Sequence, residues 1–411
     1  MELQYIALVV PAFFLFVGIE YLVAIQKKKK DIYKFDSSVA NISVGIAERL
    51  LNIFVSASFY GMFYYVYENF AIFNIPNTWY VWILLLLTTD FVWYWYHRLG
   101  HEINILWGAH IVHHHSEEFN YTVSARVTTF QALIRNIFWC SMPLLGFHPA
   151  LIITISVIHA GYSFFTHTQL IGNLGWLEKV LITPSHHRVH HGSNDKYLNK
   201  NYGDLFVFWD KLFGTFQKEE EEVYYGITKP LASWNPVWAN FHYWVDLFRL
   251  SSKSNSFRDK LNVFTKSPGW QPEYLGGYQA APEIDKENYQ KYDVSSGNIR
   301  AGYSLFQFMM ALSTGSILLF LYLKMDVAQN VSLALFSLTT LISCGALFEK
   351  NSWLKHFELI RLIISPVIII FFLQLPYFYF IAATFILIQF ISVIWFIRIQ
   401  KQDHAQQTQL I

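Results

Sequence analysis

Long apolar runs separated by short polar turns are the main pattern of this chain. The first run, residues 3–25, contains one charged residue, Glu20, and is long enough to cross roughly 30 Å of hydrocarbon as a helix. Because four lysines at 27–30 follow this run rather than precede it, we expect a retained membrane helix and not a cleaved signal peptide. Further runs lie at about 46–70, 79–97, 127–146, 149–166, 301–323, 329–348, 358–374 and 376–397. The pattern predicts an all-α, multi-pass transmembrane helical protein with about nine spans.

Basic residues are distributed unevenly over the predicted loops, which predicts an orientation. If the four lysines are cytoplasmic, the outward loops, including the turns at 146–149 and near Pro376, together hold one basic residue, Lys324. Short cytoplasmic loops carry the excess of Lys and Arg in membrane proteins. We therefore predict that the histidine-rich segments and the C-terminus lie at the cytoplasmic face.

The two runs at 127–146 and 149–166 form a tight hairpin. The first of them contains Arg135, so the hairpin is either fully spanning or re-entrant. In both cases it returns His167 to the cytoplasmic side.

Four regions follow from these patterns. Residues 1–74 hold N-terminal spans, 75–220 a histidine-rich catalytic region, 221–300 a cytoplasmic extension and linker, and 301–411 a C-terminal region of four spans. We expect the linker to be solvated surface, because it is rich in charged and small polar residues. The C-terminal region shows no polar site comparable to the histidine-rich one.

The composition narrows the class of protein. Only 14% of the residues are charged and 54% are apolar, whereas an average soluble domain carries about 25% charged residues. The 30 basic and 29 acidic residues leave a formal net charge of +1, so we predict no nucleic acid as partner. Cys140 and Cys344 are too few for a disulfide framework or a thiolate metal cluster.

Histidines supply the candidate chemistry, because 13 of the 16 fall between His97 and His191. Residues spaced i, i+3 and i+4 share a helix face, so each histidine cluster is expected to direct two or three imidazoles toward a common point. The clusters offer nine nitrogen donors: His97, His101, His110, His113, His114, His167, His187, His190 and His191. One metal takes about three or four protein ligands, so nine donors predict two metals.

The identity of the metal depends on the chemistry. Imidazole binds Zn, Cu, Fe and Ni, so the ligands alone do not decide between them. Zinc has no redox function, whereas a two-metal site that faces a bilayer and lacks water-activating carboxylates suits dioxygen activation. We therefore predict two iron ions.

Polar residues beside the clusters have predicted supporting roles. Glu102 follows His101 and either orients an imidazole N–H or contacts a cofactor, or is a surface carboxylate. His115 and His186 extend their clusters by one residue and therefore point about 100° away from the shared face, toward a supporting or solvent-facing position.

A second set of residues extends the predicted site. His159 lies two turns before His167 and Ser163 one turn before it, and either could supply a further ligand directly or through water. Asp210 could accept a hydrogen bond from a ligand imidazole, and the aromatic-rich segment 201–216 is expected to cap the last cluster. We expect the neighbouring Glu117 and Glu118 to form a solvated surface.

The histidine pattern resembles the fatty acid hydroxylase superfamily, the membrane di-iron group that includes sterol desaturases. The resemblance rests on HRLGHE at 97–102, HIVHHHS at 110–116, FFTHT around His167, PSHHRVHHGSN at 184–194 and KNYGDLFVFWDKLFGTF at 200–216. It is most similar to the alkylglycerol monooxygenase branch. The resemblance implies a di-iron centre held by the nine histidines, a Glu102 that activity requires, and tetrahydrobiopterin as electron donor. It also implies hydroxylation of the lipid carbon next to an ether oxygen, which releases a fatty aldehyde and a glycerol derivative.

Alternatives remain within and outside this class. The same irons would serve a sterol, fatty acyl or carotenoid hydroxylase or desaturase whose electron donor is a redox protein. A membrane metal transporter would place His, Asp or Glu near the bilayer midplane or carry a low-complexity histidine loop, and the sequence has neither. The Gln-Leu-Ile end carries no retention or lipidation motif, so we expect either a bacterial inner membrane or the endoplasmic reticulum membrane.

Overall fold

A computed structural model describes residues 2–294, 297–372 and 378–409 of this chain. Regular structure in these residues is helical, apart from two isolated β-bridges. Contacts divide the chain into two compact units. The histidine unit comprises Phe16–Ala232 and Trp238–Tyr292, and the C-terminal unit comprises Met1–Leu15, Ser233–Val237 and Asp293–Ile411.

The first three helices confirm predicted apolar runs and extend them, and a fourth helix follows that the runs did not include. They are α1 (Glu2–Gln26), α2 (Phe35–Phe70), α3 (Trp79–Glu102) and α4 (Asn104–His114). Helix α2 begins 11 residues before the predicted position 46, because the polar residues at its start are buried rather than solvated. Asn41 is fully buried and donates to the hydroxyl groups of Ser116 and Thr122.

The predicted span at 127–146 is wrong. The chain forms two short helices there, α5 (Gln131–Trp139) and α6 (Ser141–Leu145), and neither approaches the roughly 20 residues that a spanning helix needs. Gly146 then ends α6 with φ +106°, a conformation that favours glycine, and a Cβ at this position would clash with the Phe73 carbonyl. Helix α7 follows at Pro149–Thr166, as predicted, with Pro149 at its first position.

The predicted linker at 221–300 contains more structure than a solvated segment. Two short helices precede it, α8 (Pro184–His190) and α9 (Phe208–Leu212). It contains α10 (Pro236–Lys253) and α11 (Phe257–Thr265). Its end packs back on the histidine unit, since Tyr289 donates to the Tyr225 carbonyl at 2.8 Å and Lys291 lies 3.4 Å from the Glu118 carboxylate. Glu118 is buried, so the predicted solvated surface at Glu117 and Glu118 is wrong.

Five helices of the described residues are long and apolar enough to cross a membrane. They are Phe35–Val55, Pro149–Thr166, Asn298–Lys324, Val327–Glu349 and Ala382–Asp403. A shorter apolar helix covers Val10–Gln26. The chain is therefore an integral membrane protein. The runs predicted at 79–97 and 358–374 do form helices, but Trp and Tyr in the first and charged residues in the second lower their hydropathy.

The described residues of 297–409 form four long helices at the positions of the four predicted spans, and three of them are long and apolar enough to cross a membrane. The four helices are α12 (Asn298–Leu321), α13 (Val327–Glu349), α14 (Leu354–Phe372) and α15 (Phe378–Gln409). The predicted turn near Pro376 lies outside the described residues. Helix α13 begins with a capping box in which the Asp326 and Gln329 side chains each accept from the other's backbone N–H.

This unit has a buried polar core, contrary to expectation. The Glu358 carboxylate pairs with the Arg361 guanidinium at 2.7 Å and also accepts from the hydroxyl groups of Tyr303 and Ser343. Arg361 further donates to Thr340 and Gln307. Residues from three helices satisfy both charges, which is the condition under which an ion pair is tolerated in an apolar interior.

Candidate metal centre

Helices α3 and α4 bring their histidines close together, because the chain turns between Glu102 and Asn104. The Asn104 side chain fixes the start of α4 by donating to the Val263 and Ser267 carbonyls. Gly100 faces His110 across this turn, since a Cβ at Gly100 would lie in ordinary van der Waals contact with the His110 side chain, at 3.6 Å. The last turn of α3 and the whole of α4 therefore direct their histidines into one region.

Helix α8 supplies the last cluster. It begins with Pro184 and a capping box between Thr183 and His186, which fixes the helix start just before the cluster. His186 is buried with its ring 5.4 Å from that of Phe216, so it supports the helix and does not face solvent. The predicted direction of His186 away from the shared face is thus confirmed, and the solvent alternative is wrong.

All nine predicted histidines come together, in two groups. The five-histidine group contains His97, His101, His110, His114 and His190. The four-histidine group contains His113, His167, His187 and His191. Within each group the candidate ligand nitrogens lie within 4.8 Å of one another, so each group could hold a metal ion.

The two HxxHH clusters are shared between the groups. His110 and His114 enter the five-histidine group, whereas His113, between them, enters the other. In α8 the i+3 residue, His190, likewise leaves the group of its neighbours. The expectation that each cluster converges on one point is therefore wrong, because residues i+3 and i+4 diverge by about 100° around a helix.

Backbone carbonyls fix the orientation of four of the rings. His97 Nδ1 lies 2.8 Å from the Tyr202 carbonyl and His190 Nδ1 lies 3.0 Å from that of Lys200. In the four-histidine group, His113 Nδ1 lies 3.2 Å from the Arg126 carbonyl and His167 Nδ1 lies 2.7 Å from that of Ser163. A carbonyl only accepts, so these Nδ1 atoms carry the proton and the Nε2 atoms carry a lone pair.

The lone pairs face one another. The Nε2 atoms are separated by 3.1 Å between His113 and His167 and by 3.0 Å between His167 and His187. Two nitrogens bound to one first-row ion through bonds of about 2.1 Å lie about 3 Å apart at a right angle. Two further nitrogens, Nε2 of His101 and of His190, are buried with no hydrogen-bond partner in the described residues. The donor set therefore fits metal ions.

Burial keeps the rings neutral, which metal binding requires. It lowers the pKa of His113 to about 4, despite the favourable hydrogen bond to Arg126. Burial also lowers the pKa of the other group members in and directly after α4 and α8: His110, His114, His187, His190 and His191. Neutral imidazole is the form that donates a lone pair to a metal.

The other predicted residues lie around the two groups. The Glu102 carboxylate is exposed and accepts from Arg98 Nε at 2.8 Å, and it does not join either group. His115 is buried against His242 and Arg126. Ser163 contributes its backbone carbonyl to His167, as described above.

Asp210 holds the loop backbone and not a ligand imidazole, which differs from the predicted contact. Its carboxylate accepts from the backbone N–H groups of Tyr202 and Gly203 at 2.7 and 2.8 Å and does not contact an imidazole of either group. The Tyr202 ring lies 5.2 Å from that of His101 and 6.1 Å from that of His190. The segment 201–216 thus caps the five-histidine group, rather than the last sequence cluster alone.

Two carboxylates near the centre escaped the sequence prediction. Asp90 and Asp204 form a third buried set with His159, in which His159 Nδ1 lies 2.6 Å from Asp204 Oδ2. His159 therefore lies in neither histidine group. The sequence does contain a signal for Asp90, because it is the single charged residue in the apolar run 79–97. An acid in such a position is a functional candidate by default.

Comparison with known proteins agrees with this arrangement. Residues 82–215 match the family model described as Fatty acid hydroxylase. The chain is 34% identical to the alkylglycerol monooxygenase of Homo sapiens over 315 residues, which covers 75% of this chain and 70% of the human protein. It is 31% identical to the alkylglycerol monooxygenase of Danio rerio over 366 residues, covering 88% and 81% of the two chains. No solved structure matches it.

The helical fold, the buried histidine groups and the matched region define a membrane-bound lipid hydroxylase, and hence an oxidoreductase. Within that class, the chain belongs to the alkylglycerol monooxygenase family. Its relatives also support lipid monooxygenase activity over a metal transporter.

Proposed function

We propose that the five-histidine and four-histidine groups each hold one iron ion. One observation carries the proposal: nine buried or half-buried imidazoles converge in two groups, and lone pairs of His113 and His167 face each other with no proton between them. A cation removes the repulsion between such lone pairs. The nine residues that would hold the irons are His97, His101, His110, His113, His114, His167, His187, His190 and His191.

Iron suits the reaction class better than zinc does. A monooxygenase must activate dioxygen, and zinc has no redox function. Bound iron would supply the oxidation of a lipid C–H bond by dioxygen. The buried rings exclude water from that reaction, and the carbonyls of Lys200, Tyr202, Arg126 and Ser163 hold four of them in the ligating orientation.

The proposed substrate is an O-alkylglycerol, by analogy with the relatives. Dioxygen, two electrons and two protons convert the ether carbon R–CH2–O into R–CH(OH)–O and release one water. The resulting hemiacetal breaks its C–O bond to give a fatty aldehyde and a glycerol derivative. We propose a tetrahydropterin as the electron donor, and Glu102, at the exposed end of α3, as a residue that this step requires.

We also propose that the two groups lie at the cytoplasmic face. The hairpin formed by α5, α6 and α7 would enter the membrane and return to that face. Arg126 and His167, at the two ends of this hairpin, both contact His113, which supports a hairpin that returns to its starting side. Lys27 Nζ donates to the Leu170 carbonyl, so the tetralysine lies on that side as well. The positive-inside rule makes that side cytoplasmic.

An assay of aldehyde release tests the proposal. Membranes that contain the protein are incubated with a labelled O-alkylglycerol, with and without dioxygen and tetrahydrobiopterin, beside membranes that contain His113→Ala. We expect aldehyde only from the wild type with both co-substrates. Conversion of a sterol, acyl or carotenoid substrate, with none from the ether, would support the alternative hydroxylases and contradict the proposed substrate. Ether cleavage with a reduced redox protein but not with pterin would contradict the proposed donor.

A further inference from the structure

The segment 200–206, here called the acceptor loop, orients two rings of the same histidine group. Its Lys200 carbonyl accepts from His190 and its Tyr202 carbonyl accepts from His97. Both rings belong to the five-histidine group. The corresponding carbonyls of the four-histidine group, those of Arg126 and Ser163, lie outside this loop. The position of the acceptor loop therefore bears on one group and not on the other.

Two buried carboxylates bind the backbone of the acceptor loop. Asp210 accepts from the Tyr202 and Gly203 N–H groups. Asp90, on α3, accepts from the N–H groups of Leu205 and Phe206 at 2.9 and 3.1 Å. Asp90 also accepts from the Trp209 indole at 2.9 Å. Both ends of the loop are thus held by buried carboxyl acceptors.

A histidine on α7 binds the centre of the loop. His159 Nδ1 lies 2.6 Å from the Asp204 carboxylate and 3.8 Å from that of Asp90. All three side chains are buried. Because a carboxylate accepts, the His159 Nδ1 atom donates. Asp204 is the member of the loop whose side chain reaches across to α7, so this bond joins the loop to a membrane helix.

The geometry of this set does not fit a third metal ion. Two ligand atoms of one ion with bonds of about 2.0–2.2 Å lie about 3 Å apart, as the Nε2 atoms of the histidine groups do. The 2.6 Å between His159 and Asp204 is a hydrogen-bond distance. Asp90 already accepts three N–H groups. Asp90, His159 and Asp204 therefore hold the loop by hydrogen bonds and do not form a shell of metal ligands. We call these three residues the clamp.

We propose that Asp90, His159 and Asp204 are positioning residues, which hold the acceptor loop so that His97 and His190 present Nε2 to the metal of the five-histidine group. The inference rests on the proposed function, since it requires a metal in that group. It makes a selective prediction: loss of the clamp weakens one of the two metal sites.

The test measures metal retention rather than turnover. Purified wild-type protein, His159→Leu, His159→Asn and Ser156→Ala are exposed to a chelator, and the metal that remains per chain is followed with time. Asparagine keeps an N–H donor at the place of Nδ1, whereas leucine removes it. Ser156 is the matched control, because it lies on α7 and accepts from Trp139 at 3.1 Å, away from the acceptor loop. Asp204→Asn provides a milder change if His159→Leu is not recovered from the membrane.

We expect His159→Leu to lose one of two metals on the order of 10–100 times faster than wild type, the usual effect of removing a partner behind a ligand. Asp204→Asn should show the same selectivity with a smaller change. His159→Asn should restore slow release, and Ser156→Ala should match wild type. Equal acceleration of both metals, unchanged release, or a third metal that disappears with His159 would overturn the inference. Wild-type protein without metal would instead contradict the proposed function.

Discussion

His113 and His167 face each other through unprotonated nitrogens. Their Nε2 atoms lie 3.1 Å apart, while each ring directs Nδ1 to a backbone carbonyl, that of Arg126 or of Ser163. Without a cation, this contact opposes two lone pairs in a buried site. The folded protein therefore favours a cation at this position, because a cation would remove the repulsion between the lone pairs.

Acid should destabilise the metal-free protein. Burial lowers the pKa of His113 to about 4, below the value near 6.5 of an unfolded histidine. Between these two values the unfolded chain binds the proton and the folded chain does not, so the free energy of unfolding falls as the pH drops through this window. Below about 4 both states are protonated and the effect levels off.

Thermal unfolding of chelator-treated protein in detergent at pH 7, 5.5 and 4.5 measures this effect. His148→Gln, outside both groups, is the control and should follow the wild-type profile. A stability that stays constant over this range would contradict neutral, buried rings.

The exchange of Glu102 for glutamine separates catalysis from metal binding. Because the Glu102 carboxylate is exposed and outside both groups, Glu102→Gln should retain both metals and leave the free energy of unfolding within about 0.5 kcal/mol of wild type. If the proposed role is correct, aldehyde formation falls on the order of 10–100-fold. Asp246→Asn removes another exposed helix ion pair, with Arg249, and is the matched control. A normal rate would make Glu102 a surface residue.

Gly203 gives the acceptor loop its close approach to neighbouring atoms. A Cβ there would lie 2.7 Å from the Phe206 carbonyl and 2.9 Å from Asp210 Oδ2. We expect Gly203→Ala to lower the free energy of unfolding by about 1–3 kcal/mol and to weaken metal retention in the five-histidine group. Gly161→Ala is the control, since no heavy atom lies within 4 Å of its Cβ position. Equal stabilities of the two variants would show that the loop tolerates movement.

The buried ion pair of the C-terminal unit should depend on both partners. Arg361→Met leaves the Glu358 carboxylate buried without its cation and should cost about 3–5 kcal/mol of stability. The double variant Glu358→Gln with Arg361→Met removes both charges and should recover most of that loss. Thermal unfolding of the three proteins in detergent measures the difference. A double variant as unstable as the single one would argue that packing, and not charge, sets the cost.

Sequence reasoning found most of the long apolar helices and the nine histidines that come together, since apolar runs and i, i+4 spacing are local properties. It did not find the division of the histidines into two groups, although the 100° between His113 and His114 contains that information. The break at Cys140 escaped because hydropathy averages over 127–146. Asp204 could not be paired with His159 from sequence, because that contact joins residues 45 positions apart.

The iron content of purified protein tests the central claim most directly. Wild type should hold about two irons per chain. His190→Ala removes a ligand from one group and His113→Ala from the other. Each variant should therefore insert into membranes, retain about one iron and lose activity. Two irons and normal turnover in either variant would contradict the account, as would a wild-type protein that is active without iron.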